Sequence, residues 1–278
     1  QGLGVASYPG WGQPGCSSIE MVQSTRADLL LEASQASMED GQPGLSCLEK
    51  ALEKWMHDVT ANKAPMEVAF PRLNSLAKEQ GVHLLFDATV AGGLPAVNLG
   101  QRDLAAADIY RLEGILNLTT NYILTRMAED GLSYADGLAD AQAEGHAETD
   151  PTLDVEGGDA ANKLVILAHS VLGVPARLED VEVEGITAVT EEMLAQAAAE
   201  GKKVKPVAIA EREGDTYRFS VLPAWLEADH PLAQLGAKQM GIVYHSDISG
   251  VISAAILEEV PLPTASAMLR DVVQIYSP

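Results

Sequence analysis

The chain has 278 residues, a mean hydropathy of +0.03 and an apolar content of 47%. A chain of this length and composition buries a sizeable core in one or two globular domains and is neither disordered nor fibrous. Its 18 Lys and Arg face 40 Asp and Glu, so the formal net charge is −22. This charge disfavours nucleic acid and anionic membrane surfaces as partners, because both are bound by clustered basic side chains.

The cysteine and histidine content indicates neither a disulfide framework nor a zinc site. There are two cysteines, Cys16 and Cys47, and the six histidines lack a metal-ligand spacing. No apolar run reaches the roughly 20 residues of a membrane helix. The first residues lack the basic segment and apolar core of a signal peptide. We therefore expect a cytoplasmic protein.

The first third of the chain alternates short apolar runs with amphipathic segments. A Gly- and Pro-rich loop or short surface element is predicted over the first 25 residues. Strands are then expected at 27–33, 58–60 and 83–86, and helices at 44–56 and 71–80. Strands that alternate with helices form βαβ units and a parallel sheet. The pattern therefore predicts part of a doubly wound, Rossmann-like domain.

From about residue 88 the order of elements changes. The predicted elements are a strand at 109–116, helices at 120–129, 133–144, 158–172 and 191–199, and strands at 204–210, 217–222, 241–244 and 250–256. An amphipathic helix at 264–275 follows Pro263, which is well placed at a helix start. This mixture predicts an α+β region after the parallel sheet.

The stretch 141–163 is rich in carboxylates and ends on a lysine. Its charged residues from Glu148 to Lys163 precede the apolar run 164–168, which is typical of a buried helix. Asp159 and Lys163 are four positions apart, so they share one helical face. A lysine beside carboxylates at the mouth of a buried helix could move a proton or bind a charged substrate. The same spacing also fits an ordinary surface ion pair.

Five segments of the chain resemble the signatures of homoserine dehydrogenases. The stretch 141–163 has the family's order of Ala, Gly, Asp-Pro, Asp, Gly, Asp and Lys, with His146 where the family usually has an aromatic or aliphatic residue. The other segments are VTANK at 59–63, DATVAGGLP at 87–95, LNLTTNYIL at 116–124 and PLPTASA at 261–267. Because their order matches that of the family, the resemblance covers most of the chain.

The resemblance implies two domains. Residues 1–87 correspond to a remnant of a nucleotide-binding domain, on which the C-terminal helix 264–278 packs back. Residues 88–263 correspond to a catalytic and dimerisation domain. The expected fold is therefore α/β, with a partial Rossmann-like parallel sheet and an α+β domain for substrate binding and homodimer formation.

The resemblance also assigns roles to individual residues. Lys163 corresponds to the catalytic lysine and Lys63 to a second lysine at the hydride-transfer site. The implied substrate-binding residues are Glu148, Asp154, Asp159 and Thr119. A lysine can transfer a proton to a carbonyl oxygen, and carboxylates supply counter-charge for an ammonium group. The implied substrate is homoserine, aspartate semialdehyde or a similar amino acid of the aspartate family.

A monovalent-cation site for Na⁺ or K⁺ is implied as well. The corresponding residues are Asp87, Val90, Gly92 and Leu94. In the family an acidic side chain and main-chain carbonyls hold the ion. Asp87 departs from the usual glutamate by one methylene.

The start of the chain lacks the motif with which the family binds its NAD(P) cofactor. A dinucleotide requires a Gly-rich turn between a strand and a helix. The pairs Gly2/Gly4 and Gly10/Gly12 have no strand before them. The first βαβ unit of the family is therefore expected to be absent, and Ala33 and Ser34 remain as candidates for cofactor contacts.

Two further departures lie at positions that the family places near the cofactor. The turn 256–260, ILEEV, lacks the family's glycines, and its two glutamates would repel a pyrophosphate. Leu118 replaces the glycine of the family's NGTTN segment. The sequence therefore predicts that this chain alone binds NAD(P) weakly or not at all.

Three functional hypotheses follow. The first is a homoserine dehydrogenase whose nucleotide-binding half is supplied by another chain. The second is a cofactor-independent acid–base enzyme, a lyase or isomerase, that acts on an amino-acid-like substrate. The third is a non-catalytic binding or regulatory partner of a complete dehydrogenase. The joint presence of Lys63, Lys163 and the carboxylates favours retained chemistry over the third hypothesis, although buried charges also persist for structural reasons.

Overall fold

The computed structural model describes Gly10 and residues 15–35, 37–258 and 262–277. These residues form two compact units. The first unit contains the described residues up to Phe86 and those from Asp271 on, and the second runs from Asp87 to Arg270. The predicted domain boundary at 87/88 lies beside this division. Only the part of the last helix from Asp271 on belongs to the first unit.

Three short parallel strands form the sheet of the first unit. They are β1 (Leu29–Glu32), β2 (His57–Thr60) and β3 (Leu84–Leu85), in the order β1-β2-β3. Leu30 pairs with Asp58, which pairs in turn with Leu84. The helices between and before them are α1 (Ser18–Ser24), α2 (Gly44–Glu53) and α3 (Lys63–Gln80). The predicted parallel sheet is confirmed.

Helix α2 is shorter than its apolar pattern predicts. Leu45, Leu48 and Leu52 are buried on one face, as the helical spacing requires. The prediction that the helix continues to residue 56 is wrong, because it ends at Glu53. Trp55 has a positive φ of 59° and is 69% exposed. A left-handed residue cannot continue a right-handed helix, so Trp55 leaves the apolar face and turns the chain towards β2.

Helix α3 begins eight residues earlier than predicted. Asn62 caps it by accepting a hydrogen bond from the N–H of Ala64, so Lys63 is its first residue. Pro71, taken from the sequence as the helix start, lies inside the helix next to a kink at Ala69. Proline has no N–H to donate to the preceding turn, which explains the kink.

A six-stranded sheet forms the second unit, in the order β5-β7-β6-β4-β8-β9. Its strands are β4 (Ile109–Ile115), β5 (Val181–Val183), β6 (Lys202–Glu213), β7 (Thr216–Glu227), β8 (Gln239–Ser246) and β9 (Gly250–Leu257). All pairs are antiparallel except β5 with β7. The predicted strands are therefore present, mostly longer than expected, and β5 is an addition that the sequence pattern did not reveal.

Helices α6 and α9 pack against strand β6 of this sheet. The helices of the second unit are α4 (Ala88–Ala91), α5 (Ala96–Asn98), α6 (Leu118–Asp130), α7 (Tyr134–Ala143), α8 (Thr152–Val155), α9 (Gly158–Ser170) and α10 (Glu191–Ala199). The last helix, α11 (Leu262–Tyr276), continues from this unit into the first. The apolar run 164–168 of α9 is buried, as predicted. Within the described residues no helix is long and apolar enough to cross a membrane.

Candidate functional site

The principal site lies where three segments of the second unit meet. The end of β4 leads into the N-terminus of α6, and the short helix α8 leads into the first turn of α9. These segments bring together five polar residues that are separated in sequence: Asn117, Thr119, Asp154, Asp159 and Lys163. Four of them were predicted as site residues, and Asn117 was not.

Lys163 is held by two acceptors. Its Nζ lies 2.7 Å from Asp159 Oδ2 and 2.7 Å from the carbonyl oxygen of Leu116. The Lys163 side chain is 15% exposed and that of Asp159 is 5% exposed. The predicted contact between the two residues is therefore present, and it is a largely buried pair rather than a surface ion pair. An ammonium group has three N–H donors, so these two acceptors leave one for a substrate.

Asn117 connects the two carboxylates of the site. Its Nδ2 donates to Asp154 Oδ1 at 2.7 Å and to Asp159 Oδ2 at 2.8 Å. Its Oδ1 accepts from the N–H of Thr120 at 2.9 Å and so caps α6. Because the cap fixes the amide oxygen, the amide nitrogen must face the carboxylates. Asparagine is a common helix cap, and the sequence held no signal for this second role.

The pKa of Asp154 is set by opposing effects, and the net shift is upward. Burial raises the pKa of its carboxyl group, and the nearby charge of Asp159 raises it further. A hydrogen bond from Asn117 opposes this shift, and so does Thr119 Oγ1 at 3.3 Å, which shares its one proton between Asp154 and the carbonyl oxygen of His146. The charge of Lys163 opposes it as well, so Asn117 and Lys163 are the main groups that favour the ionised form of Asp154 beside a second carboxylate.

The loop before α8 is only partly engaged with this cluster. Thr119 Oγ1 donates to the carbonyl oxygen of His146 at 2.6 Å, and the His146 ring packs on that of Tyr122 with centroids 4.8 Å apart. An aromatic contact thus occupies the position where the sequence departs from the family signature. Glu148 is exposed, and only its backbone carbonyl joins the hydrogen bonds of the described residues, accepting from Gln142. Binding of a substrate by the Glu148 carboxylate stays a prediction.

A second group of predicted residues lies at the carboxyl edge of the first unit's sheet. Ala33 and Ser34 follow β1, and Lys63 follows β2 on the neighbouring strand. Asn62 Nδ2 donates to the carbonyl oxygen of Ser34 at 3.0 Å, which ties the two loops together. Ser34 also donates to the buried carboxylate of Glu32. This edge is where ligands bind in open parallel sheets.

Arg270 contacts the predicted cation loop, which runs from Asp87 to Leu94. Asp87 is 1% exposed, and its Oδ2 lies 2.6 Å from Arg270 Nη2. Val90 lies within the short helix α4, Gly92 has a positive φ of 56°, and the carbonyl oxygen of Leu94 accepts from the N–H of Ala96. Ion binding at these four residues stays a prediction. Arg270 was not singled out in the sequence, where it reads as one position of an amphipathic helix.

The structure describes Leu118 and part of the turn 256–260, the two departures from the family that were predicted to lie near the cofactor. Leu118 is the first residue of α6, directly after its cap. Leu257 ends β9, and Glu258 Oε1 accepts from Thr264 Oγ1 at 2.8 Å. The last two residues of the turn 256–260 lie outside the described residues, as do the glycine pairs of the N-terminal segment except Gly10.

The fold and the site define an α/β protein with one parallel-sheet unit and a second unit that carries a largely buried lysine and two carboxylates. Residues 95–273 match the family model for homoserine dehydrogenase. The chain is 36% identical to the homoserine dehydrogenase of Methanocaldococcus jannaschii, over 98% of this chain and 80% of the relative. It is 34% identical to the NAD(+)-dependent homoserine dehydrogenase of Pseudomonas canavaninivorans, over 98% of this chain and 77% of the relative.

A solved structure leads to the same family. The homoserine dehydrogenase structure from Thiobacillus denitrificans matches with a TM-score of 0.85 and 31% identity, over 93% of this chain and 59% of the other. The chain therefore belongs to the homoserine dehydrogenase family, whose members are oxidoreductases of amino-acid metabolism. The family resemblance seen in the sequence and the α/β fold are both confirmed.

Proposed function

We propose that this chain forms the amino-acid side of a homoserine dehydrogenase site, with Lys163 as the residue that transfers the proton. The observation that carries the proposal is the geometry of Lys163. Two of its three N–H donors are bound by Asp159 and Leu116, so the third is available for the oxygen of a bound substrate. That oxygen belongs to the carbonyl of aspartate semialdehyde or to the side-chain hydroxyl of homoserine.

The chemistry of the proposed site follows from its charges. As the carbonyl is reduced, the Lys163 ammonium stabilises the developing alkoxide and donates a proton to it, and it accepts the proton in the reverse direction. Asp159 and Asp154 supply negative charge for the substrate ammonium, and Thr119 and Asn117 hold Asp154 in place. Glu148 as a further ligand of the ammonium remains part of the proposal.

Lys63 is proposed as the second lysine of the reaction. Its position as the first residue of α3, at the carboxyl edge of a parallel sheet, supports this role. Ala33 and Ser34 on the neighbouring loop are the proposed cofactor contacts.

The described residues do not by themselves form a dinucleotide site. A nicotinamide cofactor would supply the hydride, but its pyrophosphate needs a strand, a Gly-rich turn and a helix. Among the residues that the structure describes, β1 is preceded by the seven-residue helix α1 and by no strand. We therefore propose that these residues alone bind NAD(P) weakly, and that a nucleotide-binding half outside them, in the same polypeptide or in a partner chain, completes the site. A cytoplasmic homodimer completes the proposal.

Calorimetric titration separates these statements. We expect homoserine to bind the chain, and NAD(H) and NADP(H) to bind weakly or not at all. Micromolar dinucleotide binding would contradict the cofactor part of the proposal, and absence of homoserine binding would contradict its substrate part.

The role of Lys163 is tested by substitution. Lys163→Met removes the proton donor, and we expect turnover with a complete cofactor-binding partner to fall about 100-fold or more. Lys203→Met is the matched control, because Lys203 is exposed on β6 of the same unit. Retained turnover in Lys163→Met would show that another group transfers the proton. If no redox turnover is found but homoserine still binds, the lyase or isomerase alternative is tested with the same pair of variants.

A further inference from the structure

The loop from Asp87 to Asn98 contains a carboxylate whose acceptor positions are occupied by protein donors. Asp87 Oδ1 accepts from the N–H of Val97 at 2.8 Å and from that of Asn98 at 3.2 Å. Asp87 Oδ2 accepts from Asn98 Nδ2 at 2.9 Å and from Arg270 Nη2 at 2.6 Å. A carboxylate has about four acceptor positions, so these donors fill its capacity. An alkali ion would have to displace one of them.

Arg270 also supplies the positive charge that this buried carboxylate needs. The Asp87 side chain is 1% exposed, and an ionised carboxylate at such a position requires a counter-charge. A guanidinium group is always protonated in proteins, so its charge does not depend on pH or on the salt present. The Arg270 side chain is 33% exposed and reaches Asp87 from helix α11, while its Nε is buried and has no hydrogen-bond partner among the described residues.

The same guanidinium reaches the main chain of the loop. Arg270 Nη1 and Nη2 each lie 3.4 Å from the carbonyl oxygen of Gly93. The loop is packed closely there, because a Cβ added to Gly93 would lie 2.5 Å from Pro263 Cβ and 2.6 Å from Ile256 Cδ1. Arg270 thus contacts both kinds of ligand that a cation would use in this loop, an acidic side chain and a main-chain carbonyl.

We propose that Arg270 replaces the alkali ion implied by the family resemblance, so that this loop is held by a cation of the chain itself and does not require Na⁺ or K⁺. The nearest contrary feature is Glu258. Its carboxylate covers Gly92, and its Oε2 has no hydrogen-bond partner among the residues that the structure describes. A cation at Glu258 would overturn the proposal, so the experiment has to detect it.

The test is thermal unfolding of the chain in NaCl, KCl or choline chloride at equal ionic strength. Choline is too large for a buried carbonyl site. We expect the same Tm in the three salts within about 1 °C. An ion that binds the folded chain and is present at a concentration 100 times its Kd would raise Tm by roughly 5–10 °C. A saturable rise of that size in NaCl or KCl would overturn the proposal, wherever in the loop the ion binds.

Substitution of Arg270 provides the second measurement. Arg270→Met leaves Asp87 without its counter-charge, and we expect Tm in choline chloride to fall by roughly 5 °C or more. Arg270→Lys retains the charge and is expected to keep the salt independence even if Arg270→Met does not fold. Arg102→Met is the matched control, because Arg102 forms an exposed pair with Asp103, and we expect a change within about 2 °C. An unchanged Tm in Arg270→Met would refute the role of Arg270. Because Tm is the readout, the result does not depend on the proposed reaction.

Discussion

Asn117 joins two functions that a pair of substitutions can separate. It caps helix α6 through Oδ1 and donates Nδ2 to Asp154 and Asp159. Asn117→Ser retains a good helix cap but is too short to reach the carboxylates. Asn117→Asp retains the shape and the cap but replaces the shared donor with a third carboxylate. The two variants therefore measure the loss of the donor and the addition of a charge.

The expected magnitudes follow from the contacts. Hydrogen bonds to charged groups contribute about 1.5–3 kcal/mol each, but Asp154 and Asp159 keep other donors. We therefore expect Asn117→Ser to lower the free energy of unfolding by about 2–3 kcal/mol at neutral pH. Asn117→Asp is expected to cost more, about 3–5 kcal/mol, because an uncompensated buried charge is added.

The pH dependence gives the sign of the effect. The pKa of Asp154 is already raised by burial and by Asp159, and a third carboxylate would raise it further. A carboxyl group with a raised pKa stabilises the fold below its unfolded value and loses that contribution as pH rises through its folded value. The deficit of Asn117→Asp relative to wild type should thus be smaller at pH 5 than at pH 7.5.

Urea unfolding followed by circular dichroism at both pH values checks the prediction. Asn121→Ser, farther along α6, controls for the loss of an asparagine in the same helix. The Asn121 amide donates hydrogen bonds to the carbonyl oxygens of Gly236 and Gln239, so this substitution also lowers the free energy of unfolding, and the comparison rests on its pH dependence. If the free energy of unfolding of Asn117→Asp is within about 0.5 kcal/mol of the wild-type value at both pH values, the Asn117 amide does not stabilise the two carboxylates, and its proposed role in the site is wrong.

Two further predictions concern buried ionisable groups. Burial, and then the charge of Glu32, raises the pKa of Asp58, whose carboxylate is fully buried and has no hydrogen-bond partner within the described part of the chain. Asp58→Val should therefore stabilise the protein by about 1–3 kcal/mol at pH 7.5 and by less at pH 4.5; an equal effect at both would contradict this. Burial, and then the charge of Lys203, lowers the pKa of Lys205 to about 8. Because the unfolded chain keeps that proton up to about pH 10.4, wild-type stability should rise above pH 8 relative to Lys205→Met, as measured by urea unfolding.

Local patterns were sufficient wherever a feature depends on neighbours in the chain. The 3.6-residue period placed Lys163 on the same face as Asp159, and the apolar run after it buried the helix that carries both. The alternation of strands and helices predicted the parallel sheet. Helix ends were less accurate, since Trp55 and Pro71 are compatible with more than one backbone conformation until their surroundings are known.

Contacts between distant segments were beyond these patterns. Asn117 was not predicted as a site residue, yet it donates to both carboxylates, because the N-terminus of α6 lies beside α8 and α9. Arg270 meets Asp87 only because helix α11 packs beside the loop that follows Asp87. The sequence by itself determined the family, the main elements and the lysine–aspartate pair, because periodicity and motif order act along the chain. The tertiary structure decided which charges are buried and which groups compensate them, because burial and pairing depend on segments brought together by folding.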